Sequence, residues 1–175
     1  ADADWSKVLA FDCGPGNVMI DHAMGNLYDK SYDANGEVAA SGQVDEEMLA
    51  ELLTHQFFAR PIPRCAWRLD FGADYADSIL TKYADRKPED IIRTLTRFSA
   101  AAIVRSLEDN VPTLEDIDTL ISSGGGVRNA TLLEEIQELL PSHITVRLSD
   151  EFGLPAQFKE AIKFATLAVA PLHSI

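Results

Sequence analysis

Val8-Leu9-Ala10-Phe11-Asp12-Cys13-Gly14-Pro15-Gly16-Asn17 is the stretch on which the reading of this chain turns. A short apolar run stops at an acid, and two glycines around a proline then redirect the backbone. The run predicts a buried strand breaking into a tight turn. Asn17 is placed to cap a helix whose apolar residues are Val18, Ile20, Ala23, Met24 and Leu27. The unit reads strand, glycine turn, helix.

The same order returns further along. Ile117, Leu120 and Ile121 predict a strand running into Ser122-Ser123-Gly124-Gly125-Gly126, and Asn129 is placed to cap a helix carrying Leu132, Leu133, Ile136 and Leu139. Ile144, Val146 and Leu148 alternate as a third strand. A last helix, over about 156–170, is expected to pack through Phe158, Ile162, Ala165 and Val169. Strand and helix in alternation predict an α/β fold, a sheet covered by helices.

Between these units, residues 29–44 are polar and rich in turn signals, Asn35-Gly36 and Ser41-Gly42 among them. Asp45 reads as a helix cap with Val44 and Leu49 as a hydrophobic staple, ahead of Met48, Leu52 and Leu53. Pro61-Ile62-Pro63 is extended, and residues 64–72 read as a loop carrying Trp67 and Phe71. A helix over about 73–83 follows. Pro88, with Glu89 and Asp90 behind it, opens the longest helix, whose stripe is Ile91, Leu95, Phe98, Ala102 and Leu107.

With 175 residues and 46% of them hydrophobic, the chain suits one domain or one lobe of something larger. Its net charge of −13 argues against nucleic acid and anionic membrane as partners. The acidic start lacks the apolar core of a signal peptide, and the apolar stretch near Phe164 is too short to span a bilayer. Two cysteines, Cys13 and Cys65, fit a reducing compartment. A cytoplasmic protein is expected.

Chemistry concentrates at the two glycine turns. Each presents backbone N–H groups and the positive end of a helix at a sheet edge, where anions and nucleotides bind. Glycine matters there because a Cβ would hold a phosphate or purine away from the backbone. Neither turn is a P-loop or a dinucleotide fingerprint, and a plain strand-to-helix turn needing positive φ stays open. Asp12, at the end of its strand, is placed to act as a general base or to accept bonds from the turn's own N–H groups. The four histidines show no metal-ligand spacing, so no metal site is expected. Cys13 reads as a small buried residue rather than a nucleophile. Trp67 and Phe71 read either as a sugar-stacking pair or as packing.

Taken in order, Phe11-Asp12-Cys13-Gly14-Pro15-Gly16-Asn17, the segment 34–64 and Gly124-Gly125-Gly126-Val127-Arg128-Asn129 resemble the 1,6-anhydro-N-acetylmuramic acid kinase family, whose members carry FDTGPGN and GGG.RN turns. The tail at 149–168 is similar too. The resemblance implies an actin-like (ribonuclease H-like) ATPase fold, of which residues 1–175 form the C-terminal nucleotide- and sugar-binding lobe, with 29–72 a turn-rich insertion. It implies an ATP- and Mg²⁺-dependent kinase that opens a 1,6-anhydro ring while phosphorylating O6. Asp12 matches the base. Gly14, Pro15, Gly16 and Asn17 match the substrate turn, and Gly124, Gly125, Gly126 and Asn129 match the nucleotide turn.

Family chains also carry an N-terminal lobe with phosphate-binding turns that this sequence lacks, so the 175 residues are expected to be inactive alone. Missing strands would leave an edge beside Val8–Phe11. Cys13 replaces the family's Thr, and Arg64-Cys65-Ala66-Trp67-Arg68-Leu69-Asp70-Phe71-Gly72 replaces its K.STG.E.F segment on the sugar side. A levoglucosan-type kinase lobe, or a truncated module that binds nucleotide or a partner chain, is therefore the alternative. Family members are commonly homodimers.

Overall fold

The structure is a computed structural model that describes residues 8–169. Its elements are α1 (Val18–Tyr28), α2 (Glu37–Ser41), α3 (Glu46–Leu53), α4 (Arg68–Phe71), α5 (Ala73–Lys82), α6 (Pro88–Asn110), β1 (Thr119–Ser122), α7 (Ala130–Leu139), β2 (Thr145–Leu148) and α8 (Lys159–Val169). The fold is α/β, rich in helix, with a small parallel sheet.

The organising element is α6, which has Pro88 in its first turn followed by Glu89 and Asp90, as a helix N-terminus favours. It walls two apolar cores. Ile91, Ile92, Leu95 and Phe98 pack with Met19, Ile20 and Met24 of α1, Met48 and Leu52 of α3, and Phe57 and Phe71. Ala100 and Val104 pack with Leu132 and Ile136 of α7, and with Leu140 and Ile144. A buried Glu135 on α7 takes ion pairs from Arg93 and Arg97, tying α7 to α6. The β1 and β2 strands pair in parallel, Thr119 opposite Thr145 through Ser122 opposite Leu148, with α7 as the crossover.

Four local expectations change. Val8–Phe11 forms no strand; Val8 is 59% and Leu9 51% exposed. A strand is made by its neighbour, and among the described residues this stretch has none: the first backbone bond comes just past it, from Asp12 N to Arg64 O at 2.9 Å. The polar segment 29–44 holds a helix, α2, because the buried Asp33 carboxylate accepts Val38 N at 3.0 Å and Ala39 N at 2.9 Å. The loop expected at 64–72 contains α4, and there Phe71 is buried among Phe57, Phe58 and Phe98 while Trp67 stays exposed. Finally, α8 has no buried residue, so Ile162 and Val169 face solvent, as does Phe158 just ahead of it. A two-stranded sheet is too narrow to give this helix a face to cover. Residue 170, the expected end of that helix, lies outside the described residues.

Candidate functional site

Three small residues on one face of α6 fix the first glycine turn. Ser99, Ala102 and Ser106 recur at helical spacing. The Ser99 hydroxyl donates to Gly16 O at 2.7 Å, and the Ser106 hydroxyl donates to Cys13 O at 3.0 Å. Between them, a Cβ on Gly14 would come within 2.8 Å of the Ala102 Cβ, so this close approach requires glycine. Pro15 is buried behind the turn. Asn17 stands at the cap position of α1 but makes no capping bond with its side chain. Its backbone, at φ −88° and ψ −5°, is already helical, which turns the amide away from the helix N–H groups.

Asp12 opens the turn from an exposed position. Its Oδ2 accepts Ala66 N at 2.7 Å, and among the described residues Oδ1 has no partner. Below it lies Arg64, 7% exposed. The Arg64 guanidinium donates to Asp12 O at 3.2 Å, Phe58 O at 3.2 Å, Arg60 O at 3.1 Å and Ser106 Oγ at 2.8 Å. Burial pushes the neighbouring Cys13 thiol above its ordinary pKa, against the pull of Arg64, so Cys13 is a protonated packing residue at neutral pH.

The second turn is held by a different device. Asn129 has an extended backbone and its Oδ1 accepts Leu132 N at 2.9 Å, capping α7 as predicted. The loop ahead of α2 docks on it. Asn35 O accepts Ala130 N at 3.2 Å, and Gly36 O accepts the Thr131 hydroxyl at 2.8 Å. Gly124 and Gly125 are open: a Cβ on Gly125 would meet nothing within 4 Å.

The two turns converge. A Cβ on Gly126 would lie 3.9 Å from the Asn17 amide, and Asn17, Gly125 and Asn129 line one cavity of about 230 Å³ with Asp21, Asp33 and Arg128. Asn17 Oδ1 is buried there with no partner among the described residues, and burial raises the pKa of Asp21. Asp12 and Cys13 line a second, open cleft of about 1340 Å³, with Arg64 and Cys65 beside them and Lys159 and Lys163 across it. Lys159 also borders Gly124 and Gly125. Gly14 and Pro15 pack inward, and Gly16 holds Ser99.

A family model described as anhydro-N-acetylmuramic acid kinase matches residues 4–175. The anhydro-N-acetylmuramic acid kinase of Francisella tularensis subsp. novicida is 40% identical over 172 residues, 98% of this chain and 45% of that protein. That of Clostridioides difficile is 38% identical over 167 residues, 95% of this chain and 43% of that protein. For the Salinibacter ruber protein of the same name the figures are 40% over 170 residues, 96% and 43%.

The chain belongs to the anhydro-N-acetylmuramic acid kinase family. It spans less than half the length of these relatives.

A sugar kinase family is expected to use ATP with Mg²⁺. The Gly124–Gly125 backbone is bare, and Arg128 and Lys159 stand beside it. Among the described residues no three His, Cys, Asp or Glu side chains cluster to hold a metal ion. Mg²⁺ carried by phosphates and waters needs no such cage. No helix among the described residues is long and apolar enough to cross a membrane. Sequence reasoning missed Arg64, Lys159 and the Ser99–Ser106 face. The two serines at helical spacing with Ala102 were the available signal for that face.

Proposed function

We propose that this chain is the C-terminal nucleotide- and sugar-binding lobe of an ATP-dependent 1,6-anhydrosugar kinase, with anhydro-N-acetylmuramic acid as its substrate. The observation that carries the reading is Asp12: an exposed carboxylate, anchored through Oδ2, with Oδ1 turned loose at the mouth of an open cleft. Asp12 takes a proton from the water that attacks the anomeric carbon. The C1–O6 bond breaks as O6 receives the γ-phosphoryl group that ATP supplies. Asp12 and Cys13 border the sugar in the open cleft, with the turn at Gly14–Gly16 fixing them from behind, while Gly124, Gly125, Gly126 and Asn129, with Asn17 in the cavity they share, border the nucleotide. Lys159, adjoining both sites, supplies positive charge beside the transferring group.

Residues 1–175 form this lobe, with 29–72 inserted in it, and phosphate grip and turnover require the rest of a full-length kinase. The exposed Trp67 indole, next to the Ala66 that binds Asp12, favours a second substrate reading. A bulky ring there suits a smaller anhydrosugar such as levoglucosan, which lacks the acetyl and lactyl groups.

The test is Asp12→Asn in the full-length kinase. General-base catalysis predicts a loss of roughly 10²-fold or more in kcat. Normal turnover would remove Asp12 from the mechanism. Running both sugars in that assay decides between the substrates.

A further inference from the structure

We infer that Arg64 is a positioning residue for Asp12, an inference that rests on the reading of Asp12 as the base. Arg64 is almost fully buried, yet among the described residues no carboxylate pairs with it. A buried cation left without a counter-charge is costly, and its hydrogen bonds have to compensate. Two of those four bonds lead to the Asp12 turn. Asp12 N donates to Arg64 O, Asp12 O accepts from Arg64 Nε, and the Ser106 hydroxyl that accepts from Arg64 Nη2 passes its own hydrogen to Cys13 O. Ala66, two residues on, takes Oδ2.

The guanidinium thus holds Asp12 O directly and Cys13 O through Ser106, while the bond from Asp12 N to Arg64 O is made by the main chain and does not depend on the side chain. Only Oδ1 is left to move. The guanidinium is itself held flat, its carbon 4.6 Å from the centre of the buried Phe57 ring, and its other fork clamps Phe58 O and Arg60 O. A planar, multiply bonded cation is pre-organised to hold the groups it binds, as a flexible single donor is not. Arg64 touches neither reacting atom; it acts by where it puts Asp12.

The experiment compares Arg64→Met, Arg64→Lys, Asp12→Asn and the double variant Asp12→Asn/Arg64→Met in the full-length kinase, under single-turnover and steady-state conditions. A base displaced by about 1 Å costs about 10²-fold, so Arg64→Met lowers kcat by about that factor. The sugar KM stays within about threefold, because ground-state binding is untouched. Arg64→Lys, which keeps the charge but loses the planar fork, recovers little of the loss. In the Asp12→Asn background Arg64→Met costs less than about twofold more, since a residue that acts through Asp12 has nothing left to position.

An unchanged kcat in Arg64→Met, or the same loss with and without Asp12, overturns the inference. If Arg64→Met does not fold, Ser106→Ala, which cuts the link from Arg64 to Cys13 O, carries the same comparison. A large loss in Asp12→Asn with normal Arg64→Met turnover sinks Arg64 alone. Normal turnover in Asp12→Asn sinks the base, and Arg64 with it.

Discussion

Gly36→Ala should be among the most damaging single-methyl additions in this chain. Gly36 has φ +73°, and a Cβ there would sit 2.2 Å from Asn129 Oδ1 and 2.7 Å from Thr131 Oγ1. The left-handed backbone costs an alanine about 1 kcal/mol. Displacing Asn129 from Leu132 N forfeits a helix cap worth about 1 kcal/mol. Parting the Thr131 hydroxyl from Gly36 O removes a buried hydrogen bond of about 1 kcal/mol. The expected loss is about 3 kcal/mol, or a fall of about 6–12 °C in Tm for a chain of this size. Urea denaturation of this chain followed by circular dichroism reads it directly. Asn129→Ala serves as the control, since it removes the cap alone and should cost about 1 kcal/mol. If Gly36→Ala costs no more than Asn129→Ala, the loop is not clamped to the second turn and the steric argument is wrong.

Acid should weaken the fold through Asp70. The hydrogen-bonded Arg60 guanidinium holds this buried carboxyl below its ordinary pKa, helped by Trp67 N. Its contribution is therefore complete above about pH 4 and lost as pH falls through the lower folded value. Thermal midpoints measured from pH 7 to pH 2 should fall over that range, and Asp70→Asn should flatten that fall. Gly125→Val should change thermal stability little, because a Cβ there meets no protein atom within 4 Å. It should weaken ADP binding at least about tenfold by filling the bare turn, as isothermal titration would record. Unaltered ADP affinity would move the nucleotide elsewhere.

What the sequence made legible was whatever is decided within a few residues. Asp45 caps α3 by accepting Met48 N at 2.9 Å, Pro88 opens α6 and Asn129 caps α7, each through a bond or restraint spanning one turn. The apolar run at Val8–Phe11 carried an equally clear strand signal and failed, because strand identity belongs to the partner that pairs with it. Arg64 gave no local sign. It follows two prolines in a segment that reads as loop, and only the return of α6, 42 residues on, brings Ser106 to it. Asn17 shows the reverse case, a residue rightly placed at a helix start whose buried Oδ1 then lies unused by the helix. The family motifs located both glycine turns, but their meeting across the Asn17–Gly126 contact is a tertiary fact.

The arrangement around α6 also limits how this protein can change. Three stations around one helix are spoken for: a face for the first core, a face for the second, and the hydroxyl line from Ser99 to Ser106 under the glycine turn. Inserting or deleting one residue turns everything beyond it by about 100°. Such a change early in α6 would swing both serines off Gly16 and Cys13 and exchange buried residues for exposed ones along the rest of the helix. Length variation in this family should therefore collect in the connections and be close to absent from this helix, which serves as the fixed ruler against which the other parts are set.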